Sequence, residues 1–455
     1  MRHLNIAVVG HTNTGKTSLL RTLLRDEAFG EVKNAPATTR HVQMASIDID
    51  EHHDVQLFDT PGLEDAGGLL DWLQLHTLSQ WEGLERLQYF LQDASAENEF
   101  AQEAKVLRQI IQSDAALYVI DAREPLLAKY KDELTVLSWC AKPVMPVFNF
   151  IDGADVSLWR EFLAKRSLHV HSQFDTVAFD FDSEMYLWMQ LDILLNHYPP
   201  LHTLQNKRHQ QWQQLQQQAH ECLAHFLLDV AAFRHAFEQQ HATEPEIERM
   251  QTKVRQLEAH CQQQLLQLFA FYQQMNVSGQ WLAQVFAHNP FDPYWLKQLG
   301  IRTTTAATVG ALVGLGVDAA TLGLSGGLGA AVGGLLGGML GNAGSISDKI
   351  KGIKTLHIDD QTLVVLATRG KALIETLSAR GHASQNALQL QSWQSIWPKH
   401  MPAVLKQARS HPHWSSLNGV SVAKAQENRH AAALQLATLL QALQVVPETA
   451  SQALS

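Results

Sequence analysis

The sequence predicts an α/β domain with a mainly parallel sheet, followed by an all-α half that contains a glycine-rich hairpin. An apolar run at residues 6–9 leads into the motif G-x-x-x-x-G-K-[ST] at residues 10–17, as expected for a strand, a turn and a helix. Strand and helix patterns then alternate until about residue 200, after which only helical periodicity continues. Glycine becomes dense at residues 303–347.

The first motif predicts a phosphate-binding loop. Gly10 and Gly15 let backbone N–H groups point at phosphate oxygens, and the following helix adds the positive end of its dipole. Lys16 would reach the β/γ-phosphates, and the Thr17 hydroxyl would bind Mg²⁺. A chance glycine-rich turn is the alternative, and the four fixed positions between strand and helix argue against it. The predicted nucleotide contacts in this loop are Gly10, His11, Thr12, Asn13, Thr14, Gly15, Lys16, Thr17 and Ser18.

Two segments downstream are expected to sense the γ-phosphate. An apolar strand ends at Asp59, which can hold Mg²⁺ through water, and Gly62 follows with an N–H that can meet the γ-phosphate. Residues 37–40 lie between the first helix and the next strand, where Thr39 would complete the metal shell only while the γ-phosphate is present. An ordinary polar loop is an equally open interpretation of residues 37–40 taken alone.

A third segment is expected to select the base. The buried-type strand at residues 144–148 delivers Asn149 and Asp152 at its carboxyl end, which is the edge where open α/β sheets bind ligands. A carboxylate at this edge can accept both the N1–H and the exocyclic amine of guanine.

In this order and spacing, the motifs resemble those of the translation-factor-related GTPases, most closely the TrmE-Era-EngA, or Era-like, branch. The resemblance covers about residues 1–200 and implies a G domain that binds GTP and GDP with Mg²⁺, hydrolyses GTP and acts as a molecular switch. It also implies guanine contacts from Asn149 and Asp152 and a K⁺ ion beside Asn13. The implied catalytic residues are Lys16, Thr39 and Gly62, and the implied metal ligands are Thr17, Thr39 and Asp59.

Two departures from the family pattern bear on activity. Phe150 replaces the lysine of N-K-x-D, so it can stack on the base but cannot hydrogen-bond to loop oxygens. Leu63 follows the switch II glycine, where Ras-type enzymes carry a water-orienting glutamine. We therefore expect slow intrinsic hydrolysis that depends on Lys16, the metal, K⁺ or a group supplied by dimerisation or a partner. Residues 177–180 are the candidate for the family's final base loop.

A stretch at about residues 63–114 is longer than switch II and its helix require. Apolar residues recur in it at helical spacing. One interpretation, which we favour, is a helix lying on the domain's own surface, and the other is a nucleotide-sensitive docking surface. The recurring residues are Trp72, Leu75, Leu78, Trp81, Leu84, Leu87, Phe90 and Leu91.

The composition of the 455-residue chain narrows the classes of protein to which it can belong. A formal net charge of −10 argues against general affinity for nucleic acid. The 23 histidines are scattered without paired metal-ligand spacing, which is typical of solvated surface. The three cysteines form no C-x-x-C and lie in apolar patterns, as expected for a reducing cytoplasm without disulfides. The first strand begins almost at once, so we expect no signal peptide and a cytoplasmic protein.

The sequence pattern of the second half predicts helices. Apolar positions step by three or four residues from 212 to 237 and again from 247 to 268, with a breaker at residues 241–245, which predicts a helical hairpin. A later helix is expected to open at an Asp359-Asp360 cap and to continue past Leu373.

The glycine-rich segment holds nearly half of the chain's 27 glycines and a single charge, Asp318. Gly329, Gly333, Gly337 and Gly341 recur every four residues, as in a glycine zipper. Lysines flank the segment, as expected if both ends stay on the cytoplasmic side of an inner membrane. Two interpretations remain open: a re-entrant hairpin at or in that membrane, and a hairpin buried within a soluble bundle.

The predicted organisation is a G domain at residues 1–200, a helical hairpin at 201–300, the glycine-rich hairpin at 301–347 and a helical region at 348–455. Our preferred hypothesis is a GTP-hydrolysing switch whose G domain controls a helical effector half, which would also support homo-oligomers. The second hypothesis is a nucleotide-binding scaffold with negligible turnover. A ribosome-assembly GTPase is the weaker third, because no RNA-binding module follows the G domain.

Overall fold

The computed structural model of the chain describes residues 2–25, 29, 42–151, 153–176, 180–237, 243–269, 289–292, 315–319, 354–378, 395–397, 400–419 and 423–443. The chain divides into two compact units. The first consists mainly of residues 1–213, and the second begins at residue 214 and takes in most of the remaining chain.

The first unit is built on a six-stranded sheet with the strand order β2-β3-β1-β4-β5-β6. Only β2 runs antiparallel to its neighbour, so the mainly parallel sheet that the sequence predicts is confirmed. The strands are β1 (Arg2–Val9), β2 (Gln43–Asp48), β3 (His53–Asp59), β4 (Ala115–Asp121), β5 (Val144–Asn149) and β6 (Ser172–Gln173).

Helices connect the parallel strands. Because a parallel sheet is covered on both faces, its central strands are near-continuous apolar runs, and every residue of β4 and β5 is buried. The helices of this unit are α1 (Lys16–Leu24), α2 (Ala66–His76), α3 (Gly83–Phe90), α4 (Ala101–Gln112), α5 (Ala128–Ser138), α6 (Ser157–Lys165) and α7 (Phe181–Leu194), and the chain continues into α8 (Pro199–Ala232).

The register of the sheet brings the predicted motifs to one edge. Val8 of β1 pairs with Asp59 of β3, and Asp121 of β4 pairs with Asn149 of β5. The loops that follow these strands therefore emerge side by side at the carboxyl edge, where open parallel sheets bind ligands.

The inserted stretch forms α2, α3 and α4. Leu73, Leu87 and Phe90 are fully buried in the core of the first unit, which confirms the favoured interpretation of helices lying on the domain's own surface. The pattern is not one continuous helix, because the chain turns between α2 and α3. Leu75 and Leu78 face solvent, with 81% and 52% of their surface exposed.

The two helical stretches of the predicted hairpin fall in α8 and α9 (Glu244–Leu268), and the division between the two units falls within α8. Thr243 and Glu246 form a capping box that starts α9. Phe237, which the periodicity places on the first helix, lies instead in strand β7 (Arg234–Phe237), since α8 ends at Ala232. All three cysteines carry free thiols, and the Sγ atoms of Cys222 on α8 and Cys261 on α9 are 3.8 Å apart.

The second unit is mainly helical, as predicted, but it also contains a three-stranded antiparallel sheet that the periodicity did not predict. Its strand order is β7-β9-β8, with β8 at Leu315–Ala319 and β9 at Lys354–Ile358. Among the described residues, the helices that follow are α10 (Asp360–Ser378), α11 (Ala403–Arg409) and α12 (Ala423–Gln441). The predicted cap of α10 is confirmed, because Asp359 Oδ1 accepts a hydrogen bond from the Thr362 N–H at 2.7 Å.

Most of the glycine-rich segment lies outside the described residues. The exception is β8, so the first arm of the predicted hairpin ends in a strand paired with β9 and not in a helix. Gly329, Gly333, Gly337 and Gly341 all fall outside, and the zipper stays a prediction. Within the part of the chain that the structure describes, no helix combines the length and apolar character needed to cross a bilayer.

Candidate nucleotide-binding site

The loop between β1 and α1 has the backbone geometry that its glycines predict. Gly10 and Gly15 have φ angles of 143° and 91°, and Asn13 has a φ of 64°. A Cβ on Gly10 would lie 2.5 Å from the carbonyl oxygen of Val119, so no larger residue fits there. The close approach of this loop to β4 therefore depends on glycine.

Lys16 opens α1 and is buried beneath the loop. Its Nζ donates hydrogen bonds to the carbonyl oxygens of His11 at 2.7 Å and Gly10 at 3.2 Å. Burial lowers the pKa of Lys16 to about 8, although the negative charges of Asp59, Glu133 and Glu64 oppose the shift. A phosphate oxygen could replace the carbonyl partners, which would supply the ammonium group with a matching charge.

Thr17 and Asp59 form an oxygen-rich pair beside Lys16. The Thr17 hydroxyl donates to Asp59 Oδ2 at 2.6 Å, and Asp59 is fully buried at the end of β3. A hydroxyl and a carboxylate at this spacing are the hard oxygen donors that Mg²⁺ prefers, so the residues present fit the predicted metal. The third predicted ligand, Thr39, lies outside the described residues.

Gly62 lies directly against the phosphate-binding loop. A Cβ added to Gly62 would lie 2.5 Å from Thr12 Oγ1 and 2.7 Å from the Thr12 nitrogen. The next residue, Leu63, donates its N–H to the Gly10 carbonyl at 3.2 Å, and its side chain is fully buried. Leu63 is therefore a core residue, in keeping with the expectation that it does not orient water.

Two side chains of α4 hold the segment after Gly62, and no sequence motif indicates them. Gln102 Nε2 donates to the Gly62 carbonyl at 2.9 Å. Glu103 Oε1 accepts from the backbone N–H groups of Glu64 at 3.1 Å and Asp65 at 3.0 Å, and Glu103 is buried. Both residues occupy polar positions of a helical pattern, and nothing in that pattern distinguishes a polar side chain in solvent from one that binds a loop.

Asn149 connects the phosphate-binding loop to the segment after β6. Its Nδ2 donates to the Thr14 carbonyl at 2.9 Å. Its Oδ1 accepts from the N–H of Thr176 at 2.9 Å and from the Thr176 hydroxyl at 3.0 Å. No sequence motif indicates Thr176, although it directly precedes the candidate base loop at residues 177–180. Residues 177–179 of that loop and Asp152 lie outside the described residues.

Phe150, which replaces the family's lysine, lies between the loop and an arginine. The guanidinium carbon of Arg123 is 4.1 Å from the centre of the Phe150 ring, a cation–π geometry. Arg123 is held by a bidentate contact with Asp121, whose hydrogen bonds raise the arginine's pKa. A Cβ on Gly15 would lie 3.2 Å from the tip of the Phe150 ring, so the ring covers the loop.

His11 ties the loop to a buried carboxylate. Its Nδ1 lies 2.8 Å from Glu133 Oε1, and the Tyr118 hydroxyl donates to Glu133 Oε2 at 2.7 Å. Burial and the adjacent Glu133 raise the pKa of Tyr118 well above its usual value, so the phenol stays protonated and donates. Glu133, on α5, is a site residue that the sequence motifs did not indicate.

The remaining predicted loop residues are less constrained. Asn13 is exposed, so its side chain is available to an ion beside the loop. The Thr14 hydroxyl donates to the His11 carbonyl at 3.0 Å, and Ser18 is half-buried within α1. The structure therefore brings together Gly10 to Ser18, Asp59, Gly62 and Asn149, while Thr39 and Asp152 lie outside the described residues.

Two family models match successive parts of the chain. Residues 5–150 match the model described as "50S ribosome-binding GTPase", which confirms the predicted TrmE-Era-EngA-type P-loop domain. Residues 160–438 match the model described as "Domain of unknown function (DUF3482)".

Individual curated relatives match part of the chain. GTPase Der of Chloroflexus aurantiacus is 29% identical over 173 residues, which is 37% of each protein. The tRNA modification GTPase MnmE of Mycoplasma mobile is 35% identical over 104 residues, or 23% of each protein. The matched segments thus span well under half the length of these relatives.

Solved structures give the same kind of partial match. Aquifex aeolicus Era, bound to GDP·AlF₄⁻, has 19% identity and a TM-score of 0.31 over 44% of this chain and 58% of that one. The G domain of the FeoB iron transporter of T. maritima has 17% identity and a TM-score of 0.27 over 42% of this chain and 99% of that one.

Proposed function

We propose that this protein is a GTP-hydrolysing molecular switch. The chain belongs to the family defined by the domain of unknown function DUF3482, and an Era-like G domain precedes that domain. In this proposal the G domain binds GTP or GDP, and the state of its γ-phosphate sets the conformation of a helical effector half.

The strongest support for the proposal comes from the contacts of Asn149. Asn149 contacts both the Thr14 carbonyl of the phosphate-binding loop and Thr176 beside the candidate base loop. A single amide thus links the proposed phosphate site to the candidate base loop, and recognition of a whole nucleotide requires a fixed spacing between two such sites. Asp152, two residues beyond Phe150, is proposed to read guanine.

The proposed hydrolysis uses residues at the carboxyl edge of the sheet. Lys16 would bind the β/γ-phosphates, and the Gly62 N–H would bind the γ-phosphate. Thr17, Asp59 and Thr39 would hold Mg²⁺, which when bound neutralises charge on the phosphates. The protein side chains orient and bind the triphosphate, and the buried Leu63 leaves water positioning to another group, so turnover is slow.

A nucleotide-binding scaffold is the second candidate. Leu63 is fully buried and cannot reach a water molecule, and Phe150 lacks the hydrogen-bonding amine of the family's lysine. Under this alternative, nucleotide binding stabilises the protein or an oligomer, and turnover is negligible. Binding without phosphate release would favour it.

A ribosome-assembly role is the third candidate, and it rests on the description of the matching family model alone. Co-sedimentation of the GTP-bound protein with 50S subunits, and its absence with Lys16→Ala, would support it. The negative net charge of −10 argues against strong RNA binding.

We also propose that the protein works in the cytoplasm and that the glycine-rich segment either contacts the inner membrane or packs within the helical half. Flotation with anionic liposomes distinguishes these two. Deletion of residues 320–353 is preferable to deletion of 303–347, because it spares strand β8.

The decisive experiment is phosphate release from GTP and from ATP by the full chain, in K⁺ and in Na⁺. GTP-selective release that K⁺ accelerates would support the switch and would assign Asn13 its ion. Lys16→Ala should abolish nucleotide binding, since it removes the ammonium group that is proposed to bind the β/γ-phosphates.

Lys165→Ala is the matched control, because Lys165 is 70% exposed and pairs with Glu161 on the same helix. This control should bind and hydrolyse GTP as the wild type does. Tight GTP binding retained by Lys16→Ala would overturn the assignment of the site.

A further inference from the structure

A cluster of possible metal ligands lies away from the nucleotide site, where α7 gives way to α8. Asp192 is in the last turn of α7, His202 is in the first turn of α8, and His197 lies in the connection between them. One ligand atom from each of the three residues lies within 4.8 Å of the other two. We propose that these residues form a binding site for a divalent transition metal ion, with Zn²⁺ as the best-suited ion.

The distances fit a metal polyhedron. Asp192 Oδ2 lies 3.0 Å from His197 Nδ1 and 3.2 Å from His202 Nε2. Zinc bonds to histidine nitrogen and carboxylate oxygen of about 2.0 Å give a tetrahedron with edges of about 3.3 Å. The observed spacings therefore suit ligands on one ion, with water as the fourth ligand.

The charge and burial of Asp192 also favour a cation. Its side chain is 4% exposed, and its Oδ1 atom is buried without a hydrogen-bond partner among the described residues. Both imidazoles crowd the other oxygen, so hydrogen bonding alone leaves half of a buried carboxylate unused. A bound divalent ion would neutralise the whole carboxylate.

The two histidines are able to complete the site because they are on the surface. Their side chains are 69% and 59% exposed, so each ring can turn to bring its nitrogen toward a shared ion. The backbone meanwhile holds His197 above Asp192, since the His197 N–H donates to the Asp192 carbonyl at 2.8 Å. Two imidazoles and one carboxylate are ligands that suit Zn²⁺, whereas Mg²⁺ prefers oxygen alone.

Such an ion would join the last helix of the G domain to the first turn of α8. The sequence spacing D-x₄-H-x₄-H resembles no common metal motif, because the ligands come from two helices and a turn. The proposed metal site does not depend on the proposed GTPase function, so a measurement of metal binding alone tests it.

Calorimetric titration of the tag-free full chain with Zn²⁺, in excess Mg²⁺ and without nucleotide, tests the proposal. We expect one equivalent of Zn²⁺ to bind. His202→Ala and His197→Ala should each weaken binding roughly a hundredfold, at the upper end of the loss that follows when a supporting hydrogen bond is removed from a metal site. Substituting Co²⁺ should give the intense visible absorption of a tetrahedral site, and both variants should lose it.

His169→Ala is the matched control, since His169 is exposed and lies outside the cluster. Cys222→Ser tests whether the adjacent thiols of Cys222 and Cys261 hold the ion instead. Zn²⁺ binding that survives His202→Ala, or that disappears with Cys222→Ser, would overturn the proposal, as would no binding to the wild type. Circular dichroism of each variant checks that an exposed histidine was removed without unfolding the chain.

Discussion

Glu103 binds the backbone of Glu64: one oxygen of its buried carboxylate lies 3.1 Å from the Glu64 nitrogen. The same oxygen accepts the N–H of Asp65 at 3.0 Å. Hydrogen bonds to an ionised acceptor are stronger than neutral ones. A helix outside the nucleotide motifs therefore fixes the segment after Gly62, whose N–H is proposed to meet the γ-phosphate.

Glu103→Ala should weaken GTP binding more than GDP binding. Removing the carboxylate frees the segment and leaves two N–H groups without their partner, which costs about 1.5–3 kcal/mol for a bond to a charged group. We expect roughly tenfold weaker GTP affinity with GDP affinity nearly unchanged, measured by competition with a fluorescent nucleotide. Glu99→Ala, at an exposed position, is the control. Equal losses for both nucleotides would show that Glu103 supports only the fold.

Arg123→Ala should weaken nucleotide binding by loosening Phe150. The guanidinium stacks on the Phe150 ring at 4.1 Å, and such contacts contribute about 0.5–2 kcal/mol. We expect a roughly threefold to tenfold rise in the GDP dissociation constant. Phe150→Lys restores the family's residue and should bind GDP at least as tightly as the wild type. Unchanged affinity in Arg123→Ala would separate the stack from the nucleotide site.

Nucleotide affinity should fall as the pH rises above about 8. The buried Lys16 has a pKa lowered to about 8 in the nucleotide-free protein, so it loses its charge above that pH. A bound phosphate favours the ammonium form, so binding must then take up a proton, and affinity should fall about tenfold per pH unit. Calorimetry in two buffers of different ionisation enthalpy counts that proton.

Nucleotide affinity should be measured only below the pH at which guanine N1–H itself ionises, because that ionisation would also change the affinity. Lys16→Arg keeps its charge throughout and should lose the pH slope, if it still binds nucleotide. A flat affinity profile for the wild type between pH 7 and 9 would contradict this prediction.

The second unit should lose stability in mild acid because of His220. Burial, and then the charge of Lys371 whose Nζ is 2.9 Å from His220 Nε2, lower the pKa of His220 from 6.5 to about 4. The unfolded chain therefore binds more protons than the folded chain between these pH values, and stability falls as the pH drops from about 6.5 to about 4. Between pH 7 and 5 this group should account for about 2 kcal/mol of lost stability.

His220→Gln removes the titrating group and keeps an acceptor for Lys371. We expect this variant to lose less stability than the wild type between pH 7 and pH 5, measured by hydrogen exchange within α8 and α10. Identical acid sensitivity in the two proteins would place the effect on other groups.

The parts of the fold set by local pattern were predictable. The apolar run before Gly10, the buried strand before Asn149 and the helical periodicity of residues 247–268 each follow from rules that act within a few residues. The spacing of Phe237 predicts a helix, but pairing with distant strand β9 decides its conformation. Strand pairing across such separations leaves no mark on local periodicity.

In the candidate nucleotide-binding site, too, local sequence rules predict the motif residues but not the contacts between distant residues. Gly10, Lys16, Thr17 and Asp59 belong to motifs with fixed spacing, so their roles could be inferred from the sequence. Contacts with the motifs from Glu103, Glu133 and Thr176 depend on how helices and loops meet in space, and each residue looks like an ordinary polar position in the chain. Arg123 beside Phe150 is of the same kind.

Strands β8 and β9 have a consequence for how the glycine-rich segment can be studied. Ala319 and Lys354 are paired neighbours, so residues 320–353 begin and end at one place in the sheet. A short turn such as Asn-Gly could therefore replace residues 320–353 while the flanking strands remain joined. The same two endpoints would accept a fluorescent protein, so the location of the native segment in living cells could be compared with that of its replacement.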